Sequence, residues 1–178
     1  MADFLPCYEK VLELEGWYKL HNIPGDRGGL TYAGISKVNW PSWEGWVKID
    51  AIIFDESLKT MVQNFYRKEF WFKIRGDYIS SQKIAFLIYD FAVNAGLKTS
   101  IKLCQEAIGA KVDGFIGPNT LKALNETNEV LFLSDFSLLK VFYYNDICLN
   151  DNRRKQDRVS SNLKFLCGWL NRVKEGVK

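Results

Sequence analysis

Helical spacing of apolar residues covers most of this 178-residue chain and disappears near its start, over residues 16 to 36. Glycines mark turns in that stretch, around short β-prone pieces such as Leu30–Tyr32. Ahead of it, Asp3 can cap a helix over about residues 4 to 15. Because helices account for most of the remaining length, the sequence predicts an α+β fold that is mainly α-helical, with one small N-terminal β-hairpin.

The later helices are predicted from residues that start or stop them. Asp55 begins a helix that runs to about Trp71. Ser80 or Ser81 caps the next helix, which stops at Gly96. Further helices are expected from Thr99 to about Ile108, from Pro118 onward, and over about residues 128 to 148 and 158 to 174.

Residues 37 to 54 fit neither a helix nor a strand pattern. They carry Trp40, Trp43 and Trp46 at a spacing of three, with Pro41 among them. Flat aromatic rings with a polar edge suit stacking on sugars as well as filling a core. Aromatic residues make up 15% of the chain, and we expect most of them to pack in its core.

The charge and the cysteine pattern exclude several classes of protein. The net charge of +3 is too small for a nucleic-acid-binding surface, which needs a dense basic stripe. The four cysteines are scattered without a CxxC pair, and His21 is the single histidine, so no zinc site or other cofactor is expected. A Cys–His peptidase built on His21 would need a cysteine in a reactive setting, which the sequence does not indicate.

No segment is expected to insert stably into a membrane. The most apolar stretch, residues 130 to 149, contains Asp135 and Lys140 and therefore indicates a core helix. The start of the chain lacks a basic stretch followed by a long apolar run, so no signal peptide is expected. We expect a monomer that is synthesised in the cytoplasm.

Glu15 lies at the end of the apolar face of the first helix. At about 100° per residue, that face also carries Phe4, Leu5, Tyr8, Val11 and Leu12. Removal from water favours the protonated form of a carboxyl, which a proton donor near neutral pH requires. The alternative is a carboxylate that caps the helix or forms a salt bridge, although a negative charge near a helix C-terminus opposes the helix dipole.

A second carboxyl, Asp26, follows eleven residues later, close to Gly28, Gly29 and Thr31. Cleavage of a glycosidic bond uses two carboxyl groups that flank the bond. Glycines leave room for a sugar ring to approach the backbone. Asp26 can equally be an ordinary turn residue, and the residues alone leave both interpretations open.

Two stretches resemble the signature of glycoside hydrolase family 108, which comprises bacterial and phage N-acetylmuramidases, some of them labelled secretion activators. Residues 15 to 18 read EGWY where the signature has E-G-G-Y, and residues 26 to 35 read DRGGLTYAGI where it has D-x-G-G-x-T-x-x-G-I. The resemblance implies a lysozyme-like fold with Glu15 as the catalytic acid. A similar order of residues in phage-type lysozymes implies Asp26 and Thr31 as its partners, with Thr31 placing the attacking water. Trp17 departs from the pattern, which usually has glycine there.

The same resemblance suggests which residues contact the substrate. The motif glycines Gly28, Gly29 and Gly34 would border the sugar. Residues 90 to 96 are also similar to the family, and Asn94 would point its amide into the cleft, unless it only caps its helix. The aromatic candidates for stacking on a sugar, each of which can instead belong to the core or the rim, are Tyr18, Tyr32 and Trp71.

The second half resembles predicted peptidoglycan-binding domains. Residues 112 to 121 read VDGFIGPNTL and are similar to the D-G-x-I-G-P-x-T-L stretch of those domains, and residues 168 to 173 are similar to their end. In structural terms alone, Asp113 and Gly114 make a turn and Pro118 starts a helix. We predict a catalytic region over residues 1 to 95 and a helical peptidoglycan-binding region over residues 96 to 178, packed on the same core.

The predicted function is hydrolysis of the β-1,4 bond between N-acetylmuramic acid and N-acetylglucosamine in peptidoglycan glycan strands. Glu15 would protonate the leaving oxygen while Asp26 supports the attack of water. One alternative is a lytic transglycosylase, which needs only the acid. Another is a non-catalytic module that binds the wall or assists secretion. In each case the protein would reach the wall after export or holin-type release.

Overall fold

The computed structural model describes residues 1–22, 29–155 and 162–176. The chain divides into two compact units, which we call the N-terminal unit (Asp3–Lys73) and the C-terminal unit (Met1–Ala2 with Ile74–Lys178). The sequence analysis divided the chain after residue 95 into a catalytic and a peptidoglycan-binding region, and that division stays a prediction.

The N-terminal unit combines helices with one small antiparallel sheet. Strand β2 (Leu30–Tyr32) pairs with β1 (Leu20–Asn22) on one side and with β3 (Ile35–Ser36) on the other. The predicted hairpin therefore has a third strand. The helices are α1 (Phe4–Leu14), α2 (Gly45–Asp50) and α3 (Glu56–Tyr66), and α3 continues into a π-helical turn over Arg67–Trp71.

Helix α1 begins as predicted, because the Asp3 carboxylate accepts a hydrogen bond from the backbone N–H of Leu5 at 3.1 Å. Its buried face differs from the predicted one at one position. Leu5 is 46% exposed, and Cys7 is buried in its place. The core-facing stripe is thus rotated slightly from the predicted one, and it consists of Phe4, Cys7, Tyr8, Val11 and Leu12.

The C-terminal unit is helical in the residues that the structure describes. The Ser81 hydroxyl caps its first long helix, and Pro118 is the first residue of a later one, as predicted. The helix predicted to start at Thr99 starts at Leu97, directly after Gly96. The helices are α4 (Gln82–Ala95), α5 (Leu97–Ala107), α6 (Pro118–Glu126), α7 (Glu129–Lys155) and α8 (Leu163–Gly176), with a 3₁₀ turn at Gly76–Tyr78 before them.

Helix α7 covers the apolar stretch that the sequence analysis assigned to the core. It buries Phe132, Phe136 and Tyr144 on one side. Among the described residues, none of the helices combines the length and the apolar character that a membrane span requires.

A buried ionic cluster joins three helices of the C-terminal unit. Asp90 of α4 lies 3.5 Å from the Lys140 ammonium of α7 and accepts a hydrogen bond from the Arg172 guanidinium of α8 at 3.1 Å. Asp90 and Lys140 are almost fully buried. Burial lowers the pKa of Lys140, and the neighbouring Asp90 opposes that shift. Asp90 is thus the group that makes the buried ammonium tolerable.

We expect Asp90→Asn to lower the free energy of unfolding by about 3 kcal/mol, because it leaves the Lys140 ammonium buried without a negative partner. Lys140→Met should cost only about 1 kcal/mol, because Asp90 keeps the arginine. Urea denaturation of both variants measures the difference. Equal losses would show that Asp90 does not act by compensating Lys140.

Candidate active site

Glu15 is held at the C-terminal end of α1 by a Schellman motif, in which two backbone N–H groups beyond the helix bond back to its last turn. The N–H of Gly16 bonds the carbonyl of Glu13 at 3.0 Å, and the N–H of Trp17 bonds that of Leu12 at 2.8 Å. This motif needs a left-handed residue after the helix, and Gly16 supplies it with φ +84°. Glu15 is therefore fixed as the C-cap residue, directly after the helix, and it is partly buried.

A two-residue turn between β2 and β3 brings the backbone up to Glu15. Tyr32 pairs with Ile35, so Ala33 and Gly34 form the turn, and both have positive φ as a type I′ turn requires. A side chain at Gly34 would collide with the Tyr66 hydroxyl and would reach within 2.8 Å of Glu15 Oε2. The carboxyl of Glu15 and the hydroxyl of Tyr66 thus both pack against this glycine.

Tyr66 anchors the turn from α3. Its side chain is buried, and its hydroxyl donates to the carbonyl of Ala33 at 2.8 Å. A residue other than glycine seldom adopts positive φ, and a hydrogen bond to its carbonyl helps to hold it there. No pattern in the sequence distinguishes Tyr66 from the other buried residues of α3, and the sequence analysis did not find it.

Tyr66 belongs to a group of four neighbouring tyrosines. The hydroxyls of Tyr8 and Tyr18 lie 3.2 Å apart, the ring of Tyr8 lies 5.7 Å from that of Tyr66, and Tyr18 lies 6.5 Å from Tyr32. Burial raises the pKa of Tyr8 well above its usual value, and the hydrogen bond with Tyr18 adds to the shift. Burial also raises the pKa of Tyr32. We call these four residues the tyrosine cluster; of its members, Tyr66 shares the contact with Gly34 that Glu15 makes.

Only part of the predicted second half of the site can be located. Thr31 lies in β2, partly buried, and its hydroxyl donates to the carbonyl of Gly29 at 3.1 Å. Asp26 and Gly28 lie outside the residues that the structure describes. The roles of Asp26 and Thr31 stay predictions.

Two of the predicted stacking residues have no surface for a sugar. Trp71 is fully buried, and Tyr32 is 3% exposed with its ring stacked 6.4 Å from that of Trp43. Core packing takes up both rings, which favours the core interpretation of the two residues; a contact with substrate stays a prediction. Tyr18 is partly exposed and stays a candidate.

Asn94 lies near the end of α4, where its side-chain oxygen accepts a hydrogen bond from the Tyr144 hydroxyl at 2.7 Å. This bond ties the amide to α7 within the C-terminal unit. A contact between Asn94 and substrate stays a prediction. No group of three or more histidine, cysteine or acidic side chains that could hold a metal ion occurs within residues 1–22, 29–155 and 162–176.

The motif at residues 112 to 121 has a clear structural role. Gln105 is fully buried, donates to the Asp113 carboxylate at 2.8 Å, and accepts from the N–H of Gly114 at 2.8 Å. The hydrogen bond from Gln105 lowers the pKa of Asp113. These bonds hold the loop before α6 in shape. Asp113 and Gly114 therefore have a structural role, whether or not they also bind a ligand.

The family comparisons identify the class of protein and then the family. Residues 8–96 match a family model of glycosyl hydrolases, so the class is that of the glycosidases. The chain belongs to the glycosyl hydrolase 108 family. Residues 99–174 match the family described as a predicted peptidoglycan domain. The two matches support a glycosidase activity on peptidoglycan with peptidoglycan as the binding partner.

The solved structure of SagA from Brucella abortus resembles this chain, with a TM-score of 0.76 at 23% sequence identity. The likeness covers 98% of this chain and 91% of that one. At this identity it shows the fold, and it confirms the predicted mainly α-helical α+β architecture. No curated protein matches the chain.

We expect Gly34→Ala to reduce both stability and turnover. The left-handed conformation of residue 34 costs about 1–2 kcal/mol for a residue with a side chain, and the new methyl group displaces Tyr66 or Glu15. A misplaced catalytic group reduces turnover by as much as about 10²-fold. The measurements are thermal denaturation and the rate at which purified sacculi lose turbidity.

Gly168→Ala in α8 is the matched control, because a side chain at Gly168 meets no atom within 4 Å. We expect it to leave the turnover unchanged and not to lower the stability, because alanine is favoured over glycine inside a helix. Full turnover by Gly34→Ala would show that the Glu15–Gly34 contact does not matter for the activity.

Proposed function

We propose that this protein hydrolyses the β-1,4 bond between N-acetylmuramic acid and N-acetylglucosamine, with Glu15 donating a proton to the leaving oxygen. The observation that supports this most is the position of Glu15. The residue is partly buried, its backbone is held by the Schellman motif, and its carboxyl packs against Gly34, which has no side chain. The match of residues 8–96 to glycosyl hydrolases supplies the reaction class.

A general acid must be held still and must face the bond that it protonates. Glu15 meets the first requirement through α1 and the turn at Gly34. The tyrosine cluster adds hydroxyls that can donate or accept hydrogen bonds. In our proposal Tyr18, three residues after Glu15 and partly exposed, contacts the sugar that is bound at the carboxyl.

The second part of the reaction is assigned to Asp26 and Thr31. After the leaving group departs, a carboxylate supports either the positive charge that develops on the sugar or the attack of water. In our proposal Asp26 has this role and Thr31 positions the water. The proposal gives the C-terminal unit the task of holding the glycan strand, in line with its match to a peptidoglycan domain.

We expect Glu15→Gln to slow the turbidity loss of purified sacculi by at least about 10²–10⁴-fold, because an amide cannot donate the proton. Circular dichroism should show an unchanged fold. Glu13→Gln is the matched control, since Glu13 is an exposed carboxyl on the same helix. Undiminished activity of Glu15→Gln would instead favour a non-catalytic or secretion-assisting module.

The products distinguish hydrolysis from lytic transglycosylation. In hydrolysis a water molecule adds to the sugar, whereas a transglycosylase closes an internal anhydro ring without water. We expect sacculi digested in isotopically labelled water to release muropeptides that carry the label at their new reducing ends, as measured by mass spectrometry. Unlabelled anhydro products would assign the protein to the transglycosylases and leave Asp26 without its proposed role.

A further inference from the structure

A pocket of about 300 Å³ lies in the N-terminal unit, between the segment of residues 40 to 46, which we call the tryptophan loop, and α3 with its π-helical turn. We propose that this pocket binds one N-acetylglucosamine ring of the glycan at a second site, apart from Glu15. The residues that carry the argument are Trp40, Trp43, Met61, Asn64, Lys68 and Glu69.

The pocket and Glu15 lie on different sides of α3. Tyr66 and Lys59 are seven residues apart and so share one side of the helix; Tyr66 packs beside Glu15, and the Lys59 ammonium lies 5.5 Å from the ring of Tyr18. Met61 and Asn64 line the pocket. At about 100° per residue they project from the opposite side of α3. A sugar in the pocket would therefore be bound separately from the one at Glu15.

The two tryptophan walls are held in place before any ligand arrives. The ring of Trp43 lies directly over Gly45, where a side chain would collide with it. The ring of Trp40 meets Phe65 edge-on at 4.9 Å, and the indole N–H of Trp46 donates to the carbonyl of Trp40 at 2.8 Å. Trp40 and Trp43 stay partly exposed, so each keeps ring surface that a sugar can cover.

The polar groups around the pocket suit a neutral sugar. The exposed Asn64 side chain can bond the acetamido group, and Met61 offers an apolar surface for its methyl. The π-helical turn presents Lys68 and Glu69, and such turns occur frequently at functional sites. Glu44 also borders the pocket, and Glu69 is paired with the Lys73 ammonium at 2.5 Å, so the lining carries no net positive charge. That balance disfavours an anionic peptide stem and favours N-acetylglucosamine.

The size of the pocket limits the ligand. Its volume is at the low end for ligand pockets, which run from about 300 to 1,000 Å³, so it suits one ring rather than a longer stretch of glycan. This inference rests on the proposed function, because it identifies a further contact with the same substrate. A second contact on the same strand would raise the affinity for polymeric glycan relative to short fragments.

Binding is measured in the Glu15→Gln variant, which should bind the sugar without hydrolysing it. The probe is chitotriose, and the readout is the NMR resonance of each indole N–H, assigned with single Trp→Phe variants. We expect the Trp40 and Trp43 resonances to shift with saturation. Adding Asn64→Trp, which fills the pocket from an exposed position, should weaken the Kd read at Trp43 by about tenfold.

Asn145→Trp is the matched control, an asparagine exposed on α7, and it should leave that Kd unchanged. Asn64→Ala is the second variant, in case the larger side chain disturbs the fold, and it should weaken binding to a smaller extent. The inference is overturned if chitotriose leaves both resonances in place, or if L-Ala–γ-D-Glu shifts them and chitotriose does not. Hydrolysis of sacculi by the wild type tests the proposed function independently, so either idea can fail alone.

Discussion

The contact between the Glu15 carboxyl and the backbone of Gly34 is the constraint on which the N-terminal unit depends. It requires α1 to stop at Glu15, and Gly16 ensures this with its left-handed conformation. It also requires a turn without a side chain, in which Ala33 takes a positive φ that disfavours residues other than glycine. The hydroxyl of Tyr66 holds the carbonyl of Ala33, so a buried hydrogen bond from α3 helps to offset the backbone strain.

The structure explains why the family signature usually has glycine where this chain has Trp17. Trp17 has φ +61°, a left-handed conformation that glycine adopts without steric cost. The N–H of Trp17 also bonds the carbonyl of Leu12 at 2.8 Å in the Schellman motif, so residue 17 takes part in ending α1. Trp17 is 51% exposed, and its ring lies near the rim of the unit rather than in the core. The substitution therefore keeps the backbone path and adds an aromatic surface two residues from the acid.

The features that the sequence predicted well depend on a few neighbouring residues. Asp3, Ser81 and Pro118 act on the backbone next to them, so the helix starts could be identified from local chemistry. The sequence is less informative where tertiary packing decides. Nothing in the sequence around Trp71 distinguishes it from an aromatic residue at the surface, yet Trp71 is fully buried. Tyr66 bonds to Ala33, which lies thirty-three residues earlier in the chain. A single sequence does not reveal which distant residues are paired.

Helix α3 links Glu15 to the pocket that Trp40 and Trp43 line, because adjacent residues of the helix contact each of them. Tyr66 bonds the turn beside Glu15, while Phe65 supports Trp40 at the pocket. A rotation of the helix would have to move both rings, and both are buried in a close-packed interior that resists it. The positions of the turn beside Glu15 and of the proposed sugar site therefore both depend on α3. A glycan strand that contacts both would meet a surface whose spacing is already set, which lowers the ordering cost of binding.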